Sequence, residues 1–91
     1  MSDEDDDVVK VNDSRELELL TIRRLMSTEN GRDFMWRCLQ NCYTFSNVFD
    51  TDSHQHAYNA GRREHGIWLE RELTEAAPED YIKMRKEHLN E

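Results

Sequence analysis

Phe34, Met35, Cys38, Leu39, Cys42 and Tyr43 recur at intervals of three and four residues, and Asp33, Arg37, Gln40 and Asn41 fill the positions between them. At about 100° per residue, this spacing gathers the apolar set on half of a helix and the polar set on the other half. No stretch shows the two-residue alternation that a half-buried strand requires. Breakers are few: the chain has three glycines and one proline in 91 residues. That length suits one small domain and excludes a TIM barrel, a doubly wound nucleotide fold or a kinase. The expected fold class is all-α, a compact small bundle of about four helices. A flexible acidic tail is expected over residues 1–13 and a single helical domain over residues 14–91.

The first helix is expected over residues 13–26, opened by Asp13 and Glu16 in capping-box spacing. Leu19, Ile22, Leu25 and Met26 share one stripe of it, and Leu17 and Leu20 fall off that stripe. Ser27 or Thr28 caps the second helix, residues 29–43, with Trp36 at the edge of its apolar arc. Residues 44–52 break helical periodicity and read as a loop, with Phe45, Val48 and Phe49 expected to plug onto the core. The third helix is expected over residues 53–74, polar along Asn59, Arg63, Glu70 and Thr74. Its apolar side holds Ala57, Ala60, Gly61, Ile67 and Trp68, flanked by Tyr58, Leu69 and Leu73. Gly61 and Gly66 inside it cost about 1 kcal/mol each relative to Ala. Close packing of Gly61 against the second helix, near Cys38 and Leu39, is the expected compensation. Pro78 opens the last helix, with Glu79 and Asp80 in its first turn and Tyr81, Ile82, Met84 and Leu89 on one face.

The charge is concentrated. Residues 1–13 hold six acids and one base, a net of −5 out of the −8 of the whole chain. Such a block repels itself and has little to bury, so it either solvates the domain or docks on a basic partner. A net charge of −8 also argues against nucleic-acid binding as the main function, because phosphate neutralisation dominates that affinity. No run of about 18 apolar residues is present, so no membrane span is expected. The start, Met1-Ser2-Asp3-Glu4-Asp5-Asp6-Asp7, is the opposite of a basic signal-peptide start, which points to a cytosol-like compartment.

Catalytic and metal chemistry find little support. Cys38 and Cys42 are four apart on an apolar helix face, with His54 and His56 downstream. Zinc modules place cysteine pairs in knuckle loops, so these read as core cysteines, with no metal and no cofactor expected. No phosphate loop, His-Glu-x-x-His helix or nucleophile elbow is present, and no enzymatic activity is expected. Arg62 and Arg63 have no acid three or four residues away in their own helix. They pair with an acid of another helix, such as Asp33, or meet an external anion. Leu17 and Leu20 form a spare apolar patch beside the acids Asp5, Asp6 and Asp7. Either a partner covers it, or Val8, Val9 and Val11 fold back over it.

Gly31-Arg32-Asp33-Phe34-Met35-Trp36-Arg37-Cys38-Leu39, then Cys42 and Phe45, resembles the first half of a small tailed-phage domain family. That family is typified by a structural-region protein of a tropism-switching Bordetella phage. Ala57-Tyr58, Gly61-Arg62-Arg63, Gly66-Ile67-Trp68-Leu69 and Pro78-Glu79 with Tyr81 and Met84 resemble its second half. The resemblance implies a non-enzymatic virion or assembly protein near the head, portal or head–tail region. It implies phage structural proteins, or further copies of the chain, as partners, in the host cytoplasm during infection or in the virion. The alternative is an early effector that inhibits a host protein through its acidic character. On either reading the candidate partner-binding residues are Leu17, Leu20, Asp5, Asp6, Asp7, Arg62 and Arg63.

Overall fold

The computed structural model describes the backbone of residues 3–90 and the side chains of residues 13–90. Its elements are α1 (Asp3–Met26), α2 (Glu29–Asn41), α3 (Ser53–Ala76) and α4 (Pro78–Glu87), with no strand among the described residues. α1 packs on α2 and α3, α4 packs on the same two helices, and α2 meets α3, while α1 and α4 barely touch. The fold is all-α. α1 opens earlier than the capping pattern indicates, and Asp13 lies inside it. No glycine or proline precedes Asp13, so nothing local halts the helical backbone there. Apart from Asp13, the expected flexible tail over residues 1–13 lies outside the residues whose side chains are described.

The core gathers where the four helices meet: Met26, Met35, Trp36, Leu39, Leu73, Ala77 and Met84, with Ile22, Leu69 and Tyr81 packed against it. Met26, Leu39, Leu73 and Met84 are fully buried, each contributing about 1.5–3 kcal/mol through removal from water. Trp36 is buried rather than wet at its edge, its ring stacked on Phe45 at 5.4 Å and on His88 at 5.0 Å. Phe45 and Phe49 do not plug the core: both are exposed, and Val48 is half-buried. Thr44 takes that place, buried, with its hydroxyl donating to the Leu39 carbonyl at 2.7 Å.

The reason lies in how α2 stops. Tyr43 sits in the left-handed region at φ 57, and its N–H donates to the Gln40 carbonyl while that of Thr44 donates to the Leu39 carbonyl. This is a Schellman termination with tyrosine where glycine is usual. The helix therefore ends two residues before the expected Tyr43, and the turn carries Thr44 inward and Phe45 outward.

The C-terminal ends of α1, α2 and α3 take caps from side chains of other helices, and that of α4 from its own His88. Arg32 Nη1 donates to Met26 O of α1 at 3.0 Å, and Arg23 Nε donates to Ala76 O of α3 at 3.0 Å. Arg62 donates to Asn41 O of α2, and His88 Nδ1 lies 2.8 Å from Met84 O of α4. Carbonyls in the last turn lack intrahelical partners, and a cation there also complements the helix dipole. These side chains tie the order of the helices to their ends.

α3 buries a different stripe from the one expected. Gly66, Leu73 and Ala76 are buried, Leu69 is half-buried, and Gly61, Tyr58 and Trp68 face outward. A Cβ on Gly61 would meet nothing within 4 Å, whereas one on Gly66 would run into Thr44 Oγ1 and come within 2.8 Å of Cys42 Cβ. The close approach is thus at Gly66 and against the α2 terminal turn. Alanine and glycine carry little periodic signal, so Ala57, Ala60 and Gly61 drew the expected stripe to the wrong side. Two opposite results are expected in urea denaturation. Gly61→Ala should raise stability by about 0.5–1 kcal/mol, the helix-interior difference between the residues. Gly66→Ala should lower it by about 1–3 kcal/mol through overpacking, because the bond to Leu39 O holds Thr44 in place.

Candidate interaction surface

Leu17 on α1 and Trp68 on α3 are 62% and 52% exposed. They stand on either side of a groove of about 700 Å³ between the two helices, lined by Ser14, Leu17, Glu18, Thr21, Ile22, Trp68, Leu69 and Glu72. Ile22 and Leu69 form its floor and rest on the core below. His65 stacks on the Trp68 ring at 5.2 Å. Outward-facing Leu and Trp on two packed helices give an apolar trough that neither helix can cover alone.

The rim is acidic. Arg15 Nη1 contacts Glu72 at 2.7 Å and Glu18 at 3.0 Å, and Arg15 Nη2 contacts Glu75 at 2.7 Å. The hydrogen bonds that Arg15 donates to these carboxylates, to Glu72 first, raise its pKa above the ordinary value. One guanidinium among three carboxylates leaves an excess of negative charge beside the groove. Spacing along the sequence misses this cluster, because Arg15 is separated from Glu72 and Glu75 by 57 and 60 residues.

A second surface surrounds Trp36 and is already internally satisfied. Arg85 lies over the Phe45 ring at 4.2 Å and the Trp36 ring at 5.6 Å, and reaches Glu70 at 3.9 Å. His88 Nε2 contacts Asp33 Oδ1 at 3.1 Å. Burial, then the 2.5 Å bond to Glu70, pushes the Tyr81 phenol up, so it stays protonated and donates. Behind this surface, Arg32 is buried and meets Glu87 through Nε at 2.7 Å and Nη2 at 3.1 Å.

Of the residues singled out from sequence, Leu17 lines the groove, while Leu20 is half-buried and lies off it. Asp5, Asp6 and Asp7 lie outside the residues whose side chains are described. Arg62 pairs with no acid in the contacts described: it donates to Tyr43 Oη and Asn41 Oδ1, each at 3.2 Å, and stacks over the Tyr43 ring at 4.2 Å. It stabilises the left-handed turn, while Asp33, its suggested partner, faces His88. Arg63 is exposed on α3. Cys38 and Cys42 are half-buried free thiols, and His56 is half-buried with Phe49 edge-on to its ring at 5.6 Å. Among the described residues, no three His, Cys, Asp or Glu side chains converge as a metal site would require. No helix among them is long and apolar enough to cross a membrane.

A family model described as Bbp19-like phage protein matches residues 22–86. No match was found among curated proteins, and none among solved structures. The matched stretch takes in the α2–α3–α4 framework and the Trp68 side of the groove, while Leu17 and Glu18 lie before it.

Proposed function

The chain belongs to the Bbp19-like phage protein family, and from that premise we propose that it is a non-enzymatic virion or assembly protein. It acts by protein–protein contact in the head, portal or head–tail region. The observation that carries this reading is the α1–α3 groove, where Leu17 and Trp68 stand exposed over an apolar floor. A contiguous apolar patch of this kind on a small domain usually marks a contact site. Several charged side chains have structural partners: Arg23, Arg32 and Arg62 close helix ends, and Glu87 and Asp33 hold Arg32 and His88. The family premise supports the phage setting, and the groove supports the mode of action.

The test is mass spectrometry of purified virions and of assembly intermediates sedimented from infected cells. The chain is expected in at least one of these fractions at a fixed ratio to head or portal proteins. Recovery solely with a host protein, early in infection and in neither particle fraction, would instead favour an inhibitory effector.

A further inference from the structure

We propose that the groove receives the outer face of α4 from a second copy of this chain, giving head-to-tail association. The inference rests on reading the groove as a contact surface, and it names the occupant. On the outer face of α4, Ile82 is 54% exposed, and Leu89, in the turn beyond the helix, is 77% exposed. Ile82 lies on the helix itself, and Leu89 follows the end of the helix by two residues. Lys83 and Lys86 are exposed beside them. The face thus carries exposed apolar side chains beside two bases and one exposed acid, Glu79, three residues before Ile82, and keeps a net positive charge. The groove is its complement: apolar at Leu17, Ile22, Trp68 and Leu69, and acidic at Glu18, Glu72 and Glu75 around the single Arg15. A short amphipathic helix laid in an apolar trough is a recurring mode of recognition, in which rim charges set orientation and encounter rate.

The two surfaces are separate within one chain: the groove lies between α1 and α3, and neither Ile82 nor Leu89 lines it. A copy that offers its α4 to one neighbour keeps its groove for another. The contact is therefore heterologous: it continues into a ring if the rotation closes and into an open chain if it does not. A groove-to-groove dimer would instead bring the two acidic rims together, which like-charge repulsion opposes.

Sedimentation velocity of the full chain over a wide concentration range, at low and high salt, tests this. The wild type is expected to form species larger than a dimer as concentration rises, and fewer of them at high salt. Leu17→Asp removes the groove anchor and Ile82→Asp removes the α4 anchor. Each variant alone should remain monomeric, and an equimolar mixture should stop at a dimer, since one good groove and one good α4 face remain between them. Both positions are exposed, and circular dichroism should show wild-type helix content; Leu17→Ser and Ile82→Ser replace any variant that fails this check. A wild type that is monomeric throughout would overturn the proposal, as would a mixture that stays monomeric. An Ile82→Asp variant that associates like the wild type would overturn it too, by placing the contact elsewhere. None of these failures bears on whether the chain is recovered with virions, so the functional reading stands or falls separately.

Discussion

Gly31→Val should be among the most damaging single substitutions in this chain, with a loss of about 3 kcal/mol, the upper end for overpacking against a fixed neighbour. A Cβ at Gly31 would overlap the Leu25 carbonyl oxygen, come within 2.9 Å of its carbon and reach Thr28 Oγ1 at 3.0 Å. The carbonyl is backbone, so no rotamer change relieves the clash. α1 and α2 are joined by Ser27 and Thr28 alone, and both are occupied: Ser27 Oγ donates to Arg24 O, and Thr28 Oγ1 accepts from Gly31 N. The helices would have to separate at the turn, moving Met26 and Met35 out of the core. The midpoint of urea denaturation should fall accordingly, while Gly61→Val, in open space, should change it far less. Equal effects at the two glycines would contradict the close approach.

Arg32→Leu should lose about 2–3 kcal/mol, since charge-assisted hydrogen bonds are lost and an acceptor is left unpaired. Three contacts vanish together, two to Glu87 and one to Met26 O, and with them the link between the start of α2 and the end of α4. The same pair sets a pH dependence. The hydrogen bond from Arg32 is the main reason that the Glu87 carboxyl is held below its ordinary pKa. A carboxylate whose folded pKa is depressed stabilises the fold fully above its unfolded pKa, about 4.3, and loses that contribution as pH falls through the lower folded value. The wild type should therefore lose stability below about pH 4 more steeply than Glu87→Gln, whose side chain does not titrate. Parallel acid limbs for the two proteins would mean that the pair contributes nothing.

Local periodicity makes α2 legible through Met35, Cys38 and Leu39, which turn inward, although Phe34 is exposed and Cys42 and Tyr43 lie in the terminating turn; Thr28, one of the two expected caps, caps it. The cap at Thr28 and the start at Pro78 are short-range events, decided by residues within one turn. What could not be read was decided at long range. Tyr43 adopts the left-handed conformation because Arg62, nineteen residues on, stacks on its ring and takes the Asn41 carbonyl. That turn then selects Gly66 rather than Gly61 as the packed glycine. Arg32 sits between two residues of a surface-like stretch, and its burial depends on Glu87, near the other end of the chain. On the candidate surface, the off-stripe position of Leu17 is visible in the first helix alone. Its counterpart is not: the apolar stripe that Ala57, Ala60 and Gly61 suggest for α3 puts Trp68 inside, and the structure turns it into the opposite wall of the groove.

In the proposed function, the Leu17–Trp68 groove is where this chain meets other phage assembly proteins. A photo-activatable amino acid at position 17, in phage-infected cells, tests it most directly. Irradiation during particle assembly should yield cross-links to further copies of the chain or to a phage-encoded head or portal protein, and Trp68→Asp should abolish them. Cross-links confined to host proteins, or cross-links indifferent to Trp68→Asp, would contradict it.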